Sequence, residues 1–156
     1  MPAYMPKTTR PAPLPGKRKP RVDHEFNEQA ALFSWARCPA VVRKYPELRL
    51  LSCSLNGVKL SKAQAGKAKA AGMLKGEHDV RLPVARGGYA GLSIEMKAGR
   101  NKPTPEQVEY GDLIADEGWL VCYCWSWTDA RNEIMAYLQA GRTMLACSGS
   151  ISTPAG

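Results

Sequence analysis

The sequence has no apolar run long enough to span a membrane as a helix, and its N-terminus lacks the apolar core of a secretory signal. A membrane protein is therefore not expected, and a cytoplasmic setting is. The cysteines are Cys38, Cys53, Cys122, Cys124 and Cys147, an odd set without a Cys-x-x-Cys spacing. That excludes a fully paired disulfide scaffold and predicts reduced thiols without a zinc site. No internal repeat is visible, which sets aside solenoids and propellers. Acidic residues are missing from positions 1–22 and again from 59–75.

What fills those two stretches is positive charge. The 156 residues carry a formal net charge of +8, which favours a polyanionic partner, nucleic acid first. Residues 1–22 hold Lys7, Arg10, Lys17, Arg18, Lys19 and Arg21 among six prolines. This composition predicts a disordered basic arm rather than an amphipathic targeting helix. The second stretch holds Lys59, Lys62, Lys67, Lys69 and Lys75. Lys62 and Lys69 are seven apart and share a helix face, so Lys59, Lys62, Lys69 and Lys75 are expected to contact phosphates.

One domain over 23–140 is expected, followed by a loose tail over 141–156. Asp23–Arg37 reads as an amphipathic helix ended by Pro39, with Phe26, Ala30, Phe33 and Arg37 along one side. Leu50–Leu55 reads as a strand closed by the Asn56-Gly57 turn, and 60–72 as a helix. Asp79–Val84 and Gly91–Ala98 alternate as strands joined by an Arg86-Gly87-Gly88-Tyr89 turn. Thr104-Pro105-Glu106-Gln107 offers a threonine N-cap, a proline at the first helical position and a glutamine closing a capping box. A helix to Glu117, a strand over Trp119–Trp125 and a final helix over Thr128–Ala140 complete the order. The final helix should turn Ala130, Ile134, Tyr137 and Leu138 inward. The fold class this implies is α/β, a central mixed sheet flanked by helices.

Glu95 and Lys97 are two apart on a strand and project from one face. A hairpin can bring Asp79 beside them. Two carboxylates and an ammonium would then converge at one end of the sheet, and hard oxygen ligands of that kind suit magnesium. A cation there would polarise a phosphate and acidify a water, with Lys97 orienting that water or stabilising charge on the phosphate. Spacing alone favours a solvated strand face, because a surface Glu-x-Lys is common and weakly stabilising.

Asp79 followed by Ile94-Glu95-Met96-Lys97 resembles the D…(D/E)xK motif of the PD-(D/E)xK nucleases. More specifically, the chain resembles a standalone virus-type replication-repair nuclease (VRR-NUC) domain from about Asp23 to Leu138. The resemblance is carried by Glu25-Phe26-Asn27-Glu28-Gln29, Asn56-Gly57, Gly72, Gly76-Glu77-His78-Asp79 and Arg86-Gly87-Gly88-Tyr89-Ala90-Gly91-Leu92. Glu95-Met96-Lys97, Thr104-Pro105-Glu106-Gln107 and Gly118-Trp119 continue it in the same order.

The resemblance implies a restriction-endonuclease-like fold and an endonuclease for DNA, with branched forms such as four-way junctions as substrates and a homodimer as the working unit. It implies Mg2+, with Mn2+ as a substitute, held by Asp79, Glu95 and the Met96 carbonyl, and no small-molecule cofactor. It also implies a glutamate from the first helix, for which Glu25 fits best and Glu28 is the alternative. Gln107 has two readings: closing the capping box only, or also touching water or phosphate beside the site. His78 stands where the family usually has proline and reads as a turn residue. Arg86 and Tyr89 are expected at the DNA, Tyr89 by stacking on an unpaired base. The alternatives are a flap or nicking endonuclease, and a binding protein on the same fold that makes no cut.

Overall fold

The computed structural model describes residues 24–54 and 60–143. The expected arm at 1–22, the Asn56-Gly57 turn, Lys59 and positions 144–156 of the expected tail lie outside them. The described chain folds as helix α1 (His24–Ala36), short helix α2 (Pro39–Lys44), a 3-10 turn (Pro46–Leu50), strand β1 (Ser52–Cys53) and helix α3 (Lys62–Ala70). Strands β2 (Val80–Leu82) and β3 (Gly91–Met96), helix α4 (Pro105–Asp116), strand β4 (Trp119–Cys124) and helix α5 (Trp127–Gln139) follow.

The four strands form one mixed sheet in spatial order β1-β2-β3-β4. β1 and β2 pair antiparallel, as do β2 and β3, and β3 and β4 are parallel. A parallel pair needs a crossover, and α4 supplies it. The expected α/β architecture with a mixed central sheet is what the chain adopts.

Two additions lie between α1 and β1. Pro39 does more than stop α1: it occupies the first turn of α2, where its missing N–H is no loss. Pro46 opens the 3-10 turn in the same way. The inward stripe of α1 is Leu32, Phe33 and Ala36, while Phe26 is 62% exposed. The first turns of α1 extend past the core, and there Glu25 and Glu28 reach the loops after β3 and β4.

Leu92, Ile94 and Met96 of β3 join Leu32, Ala130, Ile134 and Tyr137 in the core. The opposite face of β3 is also covered, because α4 lies over it. Gly111 of α4 allows that approach: a Cβ there would stand 2.7 Å from the Tyr123 hydroxyl and 3.2 Å from the His78 ring. All six residues of β3 are buried.

Candidate active site

Register places the acids. Val80 pairs with Ile94, so Asp79, immediately before β2, comes alongside Glu95. Asp79 Oδ2 accepts the Met96 N–H at 2.9 Å. The Lys97 N–H goes to the Cys124 carbonyl on β4. Strand alternation therefore turns both backbone polar groups of Met96 toward the Asp79 side.

Lys97 Nζ donates to Glu95 Oε1 at 2.7 Å. Gln107 Nε2 donates to the same oxygen from the first turn of α4. Gln107 also closes the capping box, its Oε1 accepting the Thr104 N–H at 2.9 Å. Gln107 therefore closes the capping box and also reaches Glu95, the cap fixing the amide whose free end meets the carboxylate.

Glu95 is 1% exposed and Lys97 5%. A solvated strand face is excluded. Glu95 Oε2 is buried without a hydrogen-bond partner among the described residues. Burial raises the Glu95 carboxyl to about 7, with the Asp79 charge adding to the shift and Lys97 opposing it. Asp79 is raised too, chiefly by burial, against the hydrogen bond from Met96 and the charge of Lys97. Two carboxylates, Glu95 buried and Asp79 half-buried, thus share one ammonium, and their mutual repulsion asks for more positive charge.

Glu25 approaches from α1. Its Oε1 accepts the Ala98 N–H at 3.3 Å and the Asn101 side-chain amide at 3.0 Å, and its charge contributes to raising Asp79. Glu28 is engaged elsewhere: its Oε2 accepts the Trp127 N–H at 2.6 Å and caps the first turn of α5. Of the two candidates, geometry brings Glu25 to the Asp79 end and assigns Glu28 to the helix.

His78 is not an exposed turn residue. It is fully buried, with Nδ1 2.9 Å from Ser93 Oγ and Nε2 2.9 Å from the Gln107 carbonyl. A carbonyl only accepts, so Nε2 carries the proton and Nδ1 accepts from the Ser93 hydroxyl. Burial lowers its pKa, which keeps the ring neutral. Tyr110 and Tyr123 meet the ring edge-on at 5.1 and 5.5 Å. His78 therefore ties the residue before Asp79 to the backbone of Gln107.

The expected DNA-contacting residues separate. Lys62 and Lys69 are exposed on α3. Lys75 is exposed and pairs with Glu106. Arg86 is corrected. It is 6% exposed, Nη2 meets Glu47 Oε1 at 2.5 Å and Nη1 donates to the Ala85 carbonyl at 2.9 Å. Its charge is matched inside the fold, so it presents none to DNA. Arg86 and Tyr89 also precede β3, at the opposite end of the sheet from Asp79 and Glu95. At roughly 3.3 Å per residue, the length of β3 separates them from the acids.

The donor set fits a hard cation. Among the described residues no three His, Cys, Asp or Glu side chains converge on one point. A cation here would take two carboxylates, a backbone carbonyl and water, which is how magnesium is usually held. Glu95 Oε2, buried and unpartnered, is the ligand atom such an ion needs.

No family model matches the sequence, and no curated protein does. Among solved structures the chain is similar to a VRR_NUC domain protein, at a TM-score of 0.62 and 26% identity. The match covers 76% of this chain and 91% of that one. The chain has the VRR-NUC fold, a nuclease fold of the restriction-endonuclease-like type.

Proposed function

We propose that this chain is a divalent-metal-dependent endonuclease that hydrolyses DNA phosphodiester bonds, with branched forms such as four-way junctions as its substrates. The observation that carries this reading is Glu95 Oε2, buried and unpartnered beside a second carboxylate. Leaving such a group unsatisfied costs about 1–3 kcal/mol or more, and a protein that only binds DNA gains nothing from it.

Asp79, Glu95 and the Met96 carbonyl would hold Mg2+ or Mn2+, and Glu25, which does not converge with them on one point, would reach the ion from α1 through a water. The bound ion would polarise a phosphate oxygen and lower the pKa of a water. Lys97 keeps an ammonium beside Glu95, where it stabilises negative charge developing on the phosphate. Gln107 holds Glu95 in one rotamer, and His78 holds the Gln107 backbone. In the hydrolysis, water oxygen forms a bond to phosphorus, the bond to one ester oxygen breaks, and that oxygen takes a proton.

Lys62 and Lys69 would add nonspecific attraction from α3. A twofold dimer would supply the two sites that symmetric junction cutting needs.

The test compares wild type with Asp79→Ala and Lys97→Ala on labelled four-way junctions, flaps and linear duplexes with Mg2+. Loss of cutting with retained binding is expected in both variants. Variants that cut like wild type would sink the active-site assignment. Salt-sensitive binding by a wild type that never cuts would favour the binding-protein alternative, and preference for flaps or nicks would revise the substrate.

A further inference from the structure

The residues immediately after β3 and β4 meet in a way the metal site does not require. Ala98–Asn101 form a turn, with the Asn101 N–H donating to the Ala98 carbonyl at 3.1 Å and Gly99 at φ +59°. The Asn101 carbonyl accepts the indole N–H of Trp125 at 2.9 Å. The same residue's side chain donates to Glu25. Trp125 is thus fixed by its polar edge to the turn that holds Glu25, yet 43% of it remains exposed.

Between the indole, the turn and the start of α1 lies a groove of about 440 Å³, with His24 and Glu28 on its far wall. That volume is within the range of small-ligand sites, roughly 300–1,000 Å³. Arg100 lines the groove, is exposed, and enters no ion pair among the described residues. Lys102 is exposed two residues on. The charge pattern orients an occupant. Glu28 on the far wall disfavours a phosphate there, whereas its carboxylate can accept an N–H from a base edge, the thymine N3–H included. Arg100 favours a phosphate at the near rim. The indole face suits an aromatic ring between the two.

We propose that this groove is a subsite for an unpaired nucleobase, with Trp125 as the stacking platform and Arg100 on the adjoining phosphate. Its place beside the cleaved bond rests on the nuclease reading; its affinity for single-stranded DNA does not. Trp125 follows Cys124, which pairs with Met96, so the platform begins one residue past the strand register that carries Glu95 and Met96. A base paired inside a duplex cannot stack there, so the subsite favours substrates with strand ends, flaps or open junction arms.

The test measures fluorescence anisotropy of a labelled short oligo-dT and of a blunt duplex, using the full chain in chelator so that nothing is cut. Wild type, Trp125→Ala, Trp125→Phe and Arg100→Ala are compared, with melting curves to confirm folding. Trp125→Ala should weaken oligo-dT binding about five- to 150-fold, the range expected for one stacked base, and leave duplex binding nearly unchanged. Trp125→Phe should restore most of it, and Arg100→Ala should reduce the salt slope by roughly 0.7. Oligo-dT binding by Trp125→Ala equal to wild type, or an equal loss on duplex, would overturn the proposal. The two readings fail separately. Wild type that shows this single-strand pattern but never cuts with Mg2+ removes the nuclease reading and keeps the subsite, whereas a cutting enzyme indifferent to Trp125 in oligo-dT binding does the reverse.

Discussion

Both ends of the sheet bury charge, and they balance it differently. At the Arg86 end the account closes: the guanidinium meets Glu47 and the Ala85 carbonyl, and the Tyr137 hydroxyl caps the Val84 carbonyl at 2.6 Å. At the Asp79 end two carboxylates face Lys97, Glu25 stands near, and Glu95 Oε2 has no hydrogen-bond partner among the described residues. A pair matched one to one holds segments together. A surplus of one sign in a dry site raises pKa values and calls for a ligand of the opposite sign. Buried charge by itself is therefore no sign of function; unmatched buried charge is.

This contrast breaks first at Lys97. Removing its ammonium leaves the acids without their internal counter-charge, and Lys97→Ala should lower the cutting rate by about 10²–10³, measured as single-turnover rate on a junction. The opposite end should respond in stability instead. Arg86→Ala strands Glu47 and the Ala85 carbonyl and should cost about 3 kcal/mol in urea unfolding. Cutting per folded molecule should stay unchanged. If Arg86→Ala instead abolished cutting in folded protein, the division between the two ends would be wrong.

His78 belongs to the support of the first end. His78→Ala leaves Ser93 and the Gln107 carbonyl unpartnered and should reduce the cutting rate roughly 10–100-fold, as loss of a residue supporting a metal ligand does. An unchanged rate in folded His78→Ala would remove it from that support.

The acidic surplus also predicts a pH slope. With Glu95 near 7 in the folded chain and near 4.5 when free, the folded state binds more protons across that interval. Stability in chelator is then fullest below about 4.5 and falls as pH rises through about 7, by about 1–3 kcal/mol. Chemical denaturation at several pH values reads it. A flat or rising profile between pH 5 and 8 would contradict the surplus.

Much of the frame was legible in the sequence. The capping box at Thr104, the alternation of β3 and the inward stripe of α5 all formed as their local chemistry required. What was not legible depended on tertiary cover. Ser93, Glu95 and Lys97 read as a polar face, and only α4 packing over them made that face dry. His78 had no local pattern marking it as buried, because its partners lie 15 and 29 residues away. Glu25 and Glu28 were equivalent on the helix; loops 73 and 99 residues distant separated them. Arg86 looked like a loop cation because its match, Glu47, comes from a 3-10 turn that the reading passed over. Trp125 read as the last residue of the strand over Trp119–Trp125, whereas β4 ends at Cys124 and leaves the indole beside the Ala98–Asn101 turn.

The most direct test of the unmatched-charge account is the melting temperature of Asp79→Asn with and without Mg2+. The substitution keeps an acceptor for the Met96 N–H and leaves the Glu95–Lys97 pair intact, while removing one of the two repelling charges. In chelator the variant should melt higher than wild type. Mg2+ at about a hundredfold excess over Kd should stabilise wild type by about 2.7 kcal/mol and the variant far less. A variant that melts lower than wild type in chelator and gains as much from Mg2+ would contradict the account.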